Sequence, residues 1–421
     1  MTSDVLRHLL GVSSTNRKIY SVLLGDLSIT AIIRFGRFRF FLNKNRIYCL
    51  SCSTVECHLT SSQTLKFDDL AEKCGEWLRG SGPESDIVIS SRIRLARNLS
   101  NFPFIRKCTH DDRKEIVRYV QRNLNGTALS ESIEFINVDR LSDLDRQFLM
   151  ERQIISRELS ENEGARSVII DSTEQFSVMV NEEDHLRIQV MQSGLDLELA
   201  WNRINTIDDH LESHLQFNFH EKFGYLTACP TNVGTGLRVS VMVHLPALVI
   251  TKQIEKVFRS LQKINIAVRG LFGEGSQFSG DFYQVSNQIT LGKTELELVR
   301  QVRDIVPKLI SYERKAREFL VLESEQDLQD DVSRALGILC TAKKISSEET
   351  MHYLSKVRMG VNLGLIDDIN IPTVNKLFIH TQPAHLQKIR GHQLNTSDRN
   401  IERANYLQQH LIPRNPDASQ N

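Results

Sequence analysis

The chain has 421 residues, enough for two or three domains and a large buried core. Hydrophobic residues make up 40% and charged residues 25%, with 52 Lys+Arg against 52 Asp+Glu. A formal net charge of zero argues against general nucleic-acid binding, which needs a basic surplus, but leaves room for a local basic cleft.

No apolar run reaches the roughly 18–20 residues of a membrane-spanning helix. The nearest, over 29–42, is broken by Arg34, Arg37 and Arg39. The N-terminus lacks a compact apolar stretch followed by a small-residue cleavage site, so neither export nor a membrane partner is expected. Seven scattered Cys, an odd number, suit reduced thiols in a cytoplasm better than a disulfide framework.

Residues 1–64 read as an extension, with three of the Cys and only patchy strand-like alternation around 37–42. Cys49, Cys52, Cys57 and His58 form C-x2-C-x4-C-H, whose thiolates and imidazole would suit zinc. No second CxxC pair follows at knuckle spacing, so the expectation is unpaired thiols in a disordered arm, and no metal ligand is assigned. The alternative is an arm that is not translated, with a start near Leu65. No Met lies between Met1 and Met150, so that start would need another codon.

From Leu65 the pattern is that of folded protein. Apolar spacing predicts a helix over 67–78 ended by Gly80, and another around Ile116–Leu124. Asp86–Asn98 begins as a strand and turns basic. Strands are predicted at 167–171, 175–181, 185–190, 237–245, 264–269 and 282–291, with helices over 195–215 and 247–261. Irregular mixing of short strands and helices indicates an α+β fold with an antiparallel sheet. Beyond 291 the pattern is helical: 294–323, interrupted at Pro307, then 328–344, 346–363 and 373–380. Ser346–Glu349 has the form of a capping box. The expected division is 65–324, a helical domain over 325–412, and a tail over 413–421.

Four segments carry chemistry. Ser90–Arg94 (SSRIR) puts Arg92 and Arg94 on one strand face. Asn181–Arg187 (NEEDHLR) sets three acids beside His185 and Arg187, and an extended chain would align Glu183, His185 and Arg187. Cys229–Arg238 (CPTNVGTGLR) has two Gly that permit close backbone approach to a ligand. Arg269–Ser276 (RGLFGEGS) is a glycine-rich loop carrying Glu274. Singly, each fits an ordinary solvated strand, turn or hairpin. Together, Arg92, Arg94, Arg187, Arg238 and Arg269 could neutralise a triphosphate, leaving Glu183 and Glu274 for a cationic acceptor. No Walker lysine motif and no HRD or DFG signature is present.

These four segments, in this order and at this spacing, closely resemble the guanidino (phosphagen) kinase family. GSGPESDIVISSRIRLARN, CPTNVGTGLRVSVMVHLPAL and FYQVSNQITLG are similar, within that family, to the bacterial protein arginine kinases of the McsB type. The resemblance spans about 65–411. It implies a guanidino-kinase-like antiparallel sheet flanked by helices, followed by an all-helical C-terminal domain. The family's animal members carry a helical domain before the catalytic one; 65–324 leaves no room for it.

The resemblance also implies roles. Ser90, Ser91, Arg92, Ile93, Arg94, Arg187, Arg238, Val239, Ser240, Val241, Met242, Arg269, Gly270, Leu271, Phe272, Gly273 and Glu274 match ATP-binding segments. Glu183 matches the catalytic carboxylate, Glu274 its partner, and Cys229 the cysteine against the acceptor guanidinium. ATP and Mg2+ bridging its phosphates are the implied cofactors. Two positions depart from the pattern. Gln153 stands where these kinases place an ATP-contacting histidine. Arg399, Asn400, Arg403 and Ala404 stand in an RDxxRA motif that binds phosphoarginine allosterically, with Asn400 replacing the aspartate.

The implied activity is ATP-dependent phosphorylation of protein arginines, marking proteins for Clp degradation and modulating the CtsR repressor. The implied partners are an McsA-type activator, CtsR, ClpC/ClpP and a second copy in a homodimer. A kinase of free arginine or another small guanidine is the alternative enzyme. A non-catalytic adaptor for phosphoarginine proteins or the repressor is the alternative outside enzymes.

Overall fold

The computed structural model describes the backbone of 31–35, 38–43, 46–49 and 67–69, and residues 70–125, 127, 133–271 and 279–412. The chain divides into two compact units, Met1–Thr64 and Leu65–Asn421. In the first, strands β1 (Ala31–Phe35), β2 (Phe38–Asn43) and β3 (Arg46–Cys49) pair antiparallel in that order. Cys52, Cys57 and His58 of the C-x2-C-x4-C-H pattern lie outside the described residues.

The second unit opens with α1 (Phe67–Glu72), β4 (Val88–Arg97), α2 (His110–Leu124), β5 (Ile133–Asn137), α3 (Asp143–Glu151) and α4 (Arg157–Glu161). There follow β6 (Ser167–Asp171), β7 (Phe176–Val180), β8 (Leu186–Ser193), α5 (Leu197–Glu212) and the short pair β9 (Phe219–His220) and β10 (Gly224–Tyr225). Next come β11 (Leu237–His244), α6 (Pro246–Ile250), α7 (Ile254–Gln262), β12 (Ile266–Arg269) and β13 (Phe282–Asn287). Helices α8 (Glu295–Thr341), α9 (Ser347–Asn362), α10 (Ile371–His380), α11 (Pro383–Arg390) and α12 (Thr396–Leu411) complete it. Eight strands form one antiparallel sheet in the order β12-β13-β11-β4-β8-β7-β6-β5, an α+β arrangement with a helical end.

Local chemistry explains the boundaries. Capping boxes start α2 (Thr109 with Asp112), α8 (Thr294 with Glu297) and α9 (Ser346 with Glu349), each satisfying otherwise orphaned N–H groups. Ser142 and Asn395 cap α3 and α12 more simply, their side chains accepting the Asp145 and Asp398 N–H groups. Ile93 and Leu95 of β4, Ile188 and Val190 of β8, and Val239 and Val241 of β11 bury one sheet face. Helix α5, which packs on β4 and β8, covers it with Ala200 and Ile204, and α8 covers β11 with Val302 and Val306. The opposite face of the central strands is left for polar side chains.

Three expectations are corrected. The helix expected over 67–78 ends at Glu72, because Gly75 is extended (φ −60, ψ 154) and only a single 3-10 turn, Glu76–Leu78, follows. The helix expected over 247–261 is two, α6 and α7, separated at Lys252, whose φ is +58. Pro307 does not interrupt α8; it faces solvent, where water can take the carbonyl left without a partner. The irregular residue in α8 is Ser324 (φ −148, ψ 37), where the expected domain boundary falls.

Candidate active site

Strand register assembles the basic cluster. Residues directly opposite across antiparallel strands share a face. Arg94 of β4 lies opposite Arg238 of β11 and Gln189 of β8, and Arg92 opposite Ser240 and Met191. Ala96 lies opposite Arg187. Arg269 of β12 lies opposite Gln284, which pairs with Met242 and, through it, Ser90. All five arginines therefore sit on the polar face, and all line a cleft of about 780 Å³. Like charges directly opposed across strands are unfavourable. Burial, then Arg187, Arg238 and Arg269, push the Arg92 guanidinium down to about 9. Burial, then Arg92, Arg187 and Arg238, push Arg94 well below its ordinary value. Such a surface is costly alone and is relieved by a polyanion.

The three acids of Asn181–Arg187 face three ways. Glu182 is 2% exposed and ion-paired with Arg187. It also accepts from Ser156 Oγ (2.6 Å) and the Glu183 N–H (2.9 Å). Burial pushes its carboxyl up, but Arg187 and these hydrogen bonds outweigh that and hold it below the ordinary range. Asp184, also buried, accepts from Asn98 Nδ2 and the Ala228 N–H, both at 2.6 Å, tying this turn to the segment before Cys229. Glu183, between them, lines the cleft. Burial, then Asp184 and Glu182, raise its carboxyl, which suits a general base.

His185 does not join Glu183 and Arg187. The turn carries it into the core, where Nδ1 accepts the Leu99 N–H (2.9 Å) and Nε2–H donates to the Pro103 carbonyl (2.8 Å). Burial pushes it down to about 4, so it is neutral. Arg97 also points away, pairing with Asp208 (2.6 Å) and packing over the Tyr225 ring.

The remaining expected residues divide. Cys229 lines the cleft, with Sγ 3.0 Å from Thr231 Oγ1. Gln153 lines it too, and its Oε1 accepts from Arg92 Nη1 at 3.0 Å. Ser240 Oγ donates to the Arg92 carbonyl (3.2 Å). Ser91, Ile93, Val239 and Val241 turn to the opposite, buried face; Ser91 Oγ donates there to the Gly194 carbonyl (2.9 Å). Met242 and Leu271 lie in an apolar cluster with Trp77, Ile89 and Phe282. Gly270 is buried. Phe272, Gly273 and Glu274 lie outside the described residues.

Arg399, Asn400, Arg403 and Ala404 are on α12. Arg403 is buried and donates to the carbonyls of Thr381 (2.7 Å) and Ile345 (3.0 Å) and to Asn400 Oδ1 (2.7 Å). Arg399 donates to the Leu394 carbonyl (3.0 Å) and Thr396 Oγ1 (3.1 Å).

The motifs do not by themselves mark Glu182, Asp184, Asn98 and Ser156 as supports of the site. The available signal was the acid run itself: three adjacent carboxylates cannot all be solvated beside a buried strand, so two needed partners.

A family model described as the ATP:guanido phosphotransferase C-terminal catalytic domain matches residues 115–316. One described as the protein-arginine kinase McsB C-terminal domain matches 325–421. A "Protein-arginine kinase" of Halothermothrix orenii is 43% identical over 350 residues, covering 82% of this chain and 99% of its own. The chain belongs to the protein-arginine kinase family. Another family member, from Symbiobacterium thermophilum, is 46% identical over 338 residues, 80% of this chain and 96% of its own. Lombricine kinase, a solved guanidino kinase, superposes with a TM-score of 0.50 at 26% identity over 61% of this chain and 71% of its own. The guanidino-kinase-like fold expected from the resemblance is thus the fold observed. Among the described residues, no helix is long and apolar enough to cross a membrane.

Proposed function

We propose that this protein transfers the γ-phosphoryl group of ATP to arginine side chains of proteins. The observation that carries the reading is the row of five arginines across one sheet face with Glu183 beside them. Membership of the protein-arginine kinase family supports the acceptor.

In the proposed step a guanidino nitrogen of the acceptor attacks the γ-phosphorus. An N–P bond forms, the bond to the bridging oxygen breaks, and ADP leaves. Protonated guanidinium has no lone pair to give, so Glu183 takes a proton as the new bond forms. The arginine row holds the phosphates bidentately and aligns donor and acceptor, which is most of the catalysis open to phosphoryl transfer. Cys229, which lines the cleft, is proposed to abut the acceptor, and Glu274 to hold a second acceptor nitrogen.

Magnesium fits this site as an ion carried by the nucleotide. Glu182 and Asp184 are already engaged, and no group of three metal-ligating side chains occurs among the described residues. Its chemistry, when bound with ATP, is neutralisation of phosphate charge. The proposal extends, on the family resemblance alone, to a cytoplasmic setting, an McsA-type activator, the CtsR repressor and the ClpC/ClpP protease.

The test is ADP release with Mg-ATP and either a folded arginine-rich protein or free arginine as acceptor. Turnover with the protein supports the proposal. Turnover with free arginine alone makes the enzyme a small-guanidine kinase, and none with either, activator present, favours an adaptor.

A further inference from the structure

Three consecutive residues tie the cleft to the helices beyond it. Glu151, the last residue of α3, is buried. Its carboxylate accepts the backbone N–H of Ala384 (2.9 and 3.1 Å) and His385 (2.8 Å), in the first turn of α11. Gln382, the residue before α11, makes no side-chain cap, so the cap comes from α3 instead. Two residues on, Gln153 holds a left-handed φ of +62. Its Oε1 takes the Arg92 N–H, and its carbonyl accepts from Gln189 Nε2 at 2.6 Å. Between them Arg152 is pinned by its ion pair with Glu174 and by donation to the Lys73 carbonyl (3.1 Å). No residue of this segment is free to shift alone.

We infer that Glu151 is a positioning residue for the nucleotide end of the cleft: by gripping the start of α11 it fixes the turn that sets Gln153, and through Gln153 the orientation of Arg92. The inference rests on the reading of the arginine row as the ATP site. A left-handed backbone at a non-glycine residue costs free energy and persists where surroundings over-determine it. Here the surroundings are α11 on one side and β4 and β8 on the other. Burial also raises the Glu151 carboxyl, to about 8, in spite of the Ala384 and His385 N–H groups, so this carboxyl is an expensive way merely to begin a helix.

The test is a double-mutant cycle read as the ATP dissociation constant, measured by direct nucleotide binding without an acceptor. Gln153→Gly removes the side chain without adding backbone strain, and should weaken ATP about tenfold. Glu151→Ala should weaken it by a similar factor, on the order of five- to tenfold, and the double variant should be no worse than Gln153→Gly. Should Glu151→Ala fail to fold, Glu151→Gln carries the same cycle, with a smaller effect of about two- to threefold that vanishes in the Gln153→Gly background. Multiplying effects would overturn the inference. So would an unchanged ATP constant in a variant whose melting temperature has fallen, which is the mark of a purely structural cap. A wild-type protein that binds ATP but modifies no arginine defeats the proposed function while leaving this cycle readable.

Discussion

At the residue scale, the site works by giving adjacent side chains different surroundings. Glu182 and Asp184 are buried and spent on Arg187, Asn98 and the Ala228 amide, which leaves Glu183 raised and facing the cleft. Glu183→Gln should lower kcat by about 100-fold or more with ATP affinity nearly unchanged, since the role proposed for the group is in the proton transfer and not in phosphate binding. The base must be ionised to act. Because its carboxyl is raised, kcat in the wild type should fall as pH drops through a value above the ordinary ~4.3 for Glu, as a kcat–pH profile would show. The arginine row makes an opposing pair of predictions. Arg94→Gln should weaken ATP binding at least about tenfold, by loss of charge-assisted bonds. It should also raise the melting temperature of the nucleotide-free protein, because it relieves repulsion from Arg92, Arg187 and Arg238. A lower melting temperature would refute the reading of the row as a strained polyanion site. The arginines and Glu183 were legible in the sequence. The burial of His185 and the division of labour among the three acids were not, because a turn imposes no period from which side-chain direction can be read.

At the element scale, the central strands were legible because both constraints agree in sequence and space. β4 alternates arginine with Ile93 and Leu95, and its neighbours alternate Arg187 and Gln189 with Ile188 and Val190, and Arg238 and Ser240 with Val239 and Val241. β5, α3 and α4 were not anticipated. They are short, and the strand at this edge of the sheet is only half-buried, so its pattern is weak. Pro307 shows how a local rule can be overridden. It reads as a break, yet α8 runs through it, because apolar residues on either side, Val306 and Leu309, stay buried in the common core. The missing hydrogen bond should still cost. Pro307→Ala is expected to raise unfolding free energy by about 1–3 kcal/mol, as seen in denaturant melts, with no change in ATP affinity. No gain in stability would mean that water already satisfies the carbonyl left without a partner at Pro307.

At the scale of the whole molecule, the helical end is built into the sheet unit and not merely appended. Arg358 of α9, fully buried, donates to the carbonyls of Ser85 (2.6 Å) and Asp86 (2.9 Å) and to Asn375 (3.1 Å), and lies against His244 of β11. His244 in turn pairs with Ser355 (2.9 Å), which donates to Asp281 (2.6 Å). Such seams bury neutral histidines, and His380 and His385 stack in another. Burial pushes His380 down to about 2 and His385 to about 3. With folded values below the unfolded ~6.5, their stabilisation is complete above about pH 6.5 and is lost as pH falls toward the folded values. Each should contribute a slope of about 1.4 kcal/mol per pH unit between roughly pH 6 and 4. His380→Leu should remove one such slope from unfolding free energies measured across that range; an unchanged slope would mean that His380 is already charged in the folded protein. These long-range ties have no sequence signal, since each residue is individually ordinary and the partners lie far apart along the chain.

The central claim is transfer of phosphate to protein arginine by Glu183 in the arginine-lined cleft. The measurement that tests it most directly is the intact mass of a folded arginine-rich protein after incubation with this chain and Mg-ATP, before and after acid treatment, beside a Glu183→Gln control. The account predicts added phosphate that acid removes, that fragmentation places on arginine, and that the control lacks. Phosphate that survives acid, or that the Glu183→Gln protein adds equally well, would contradict it.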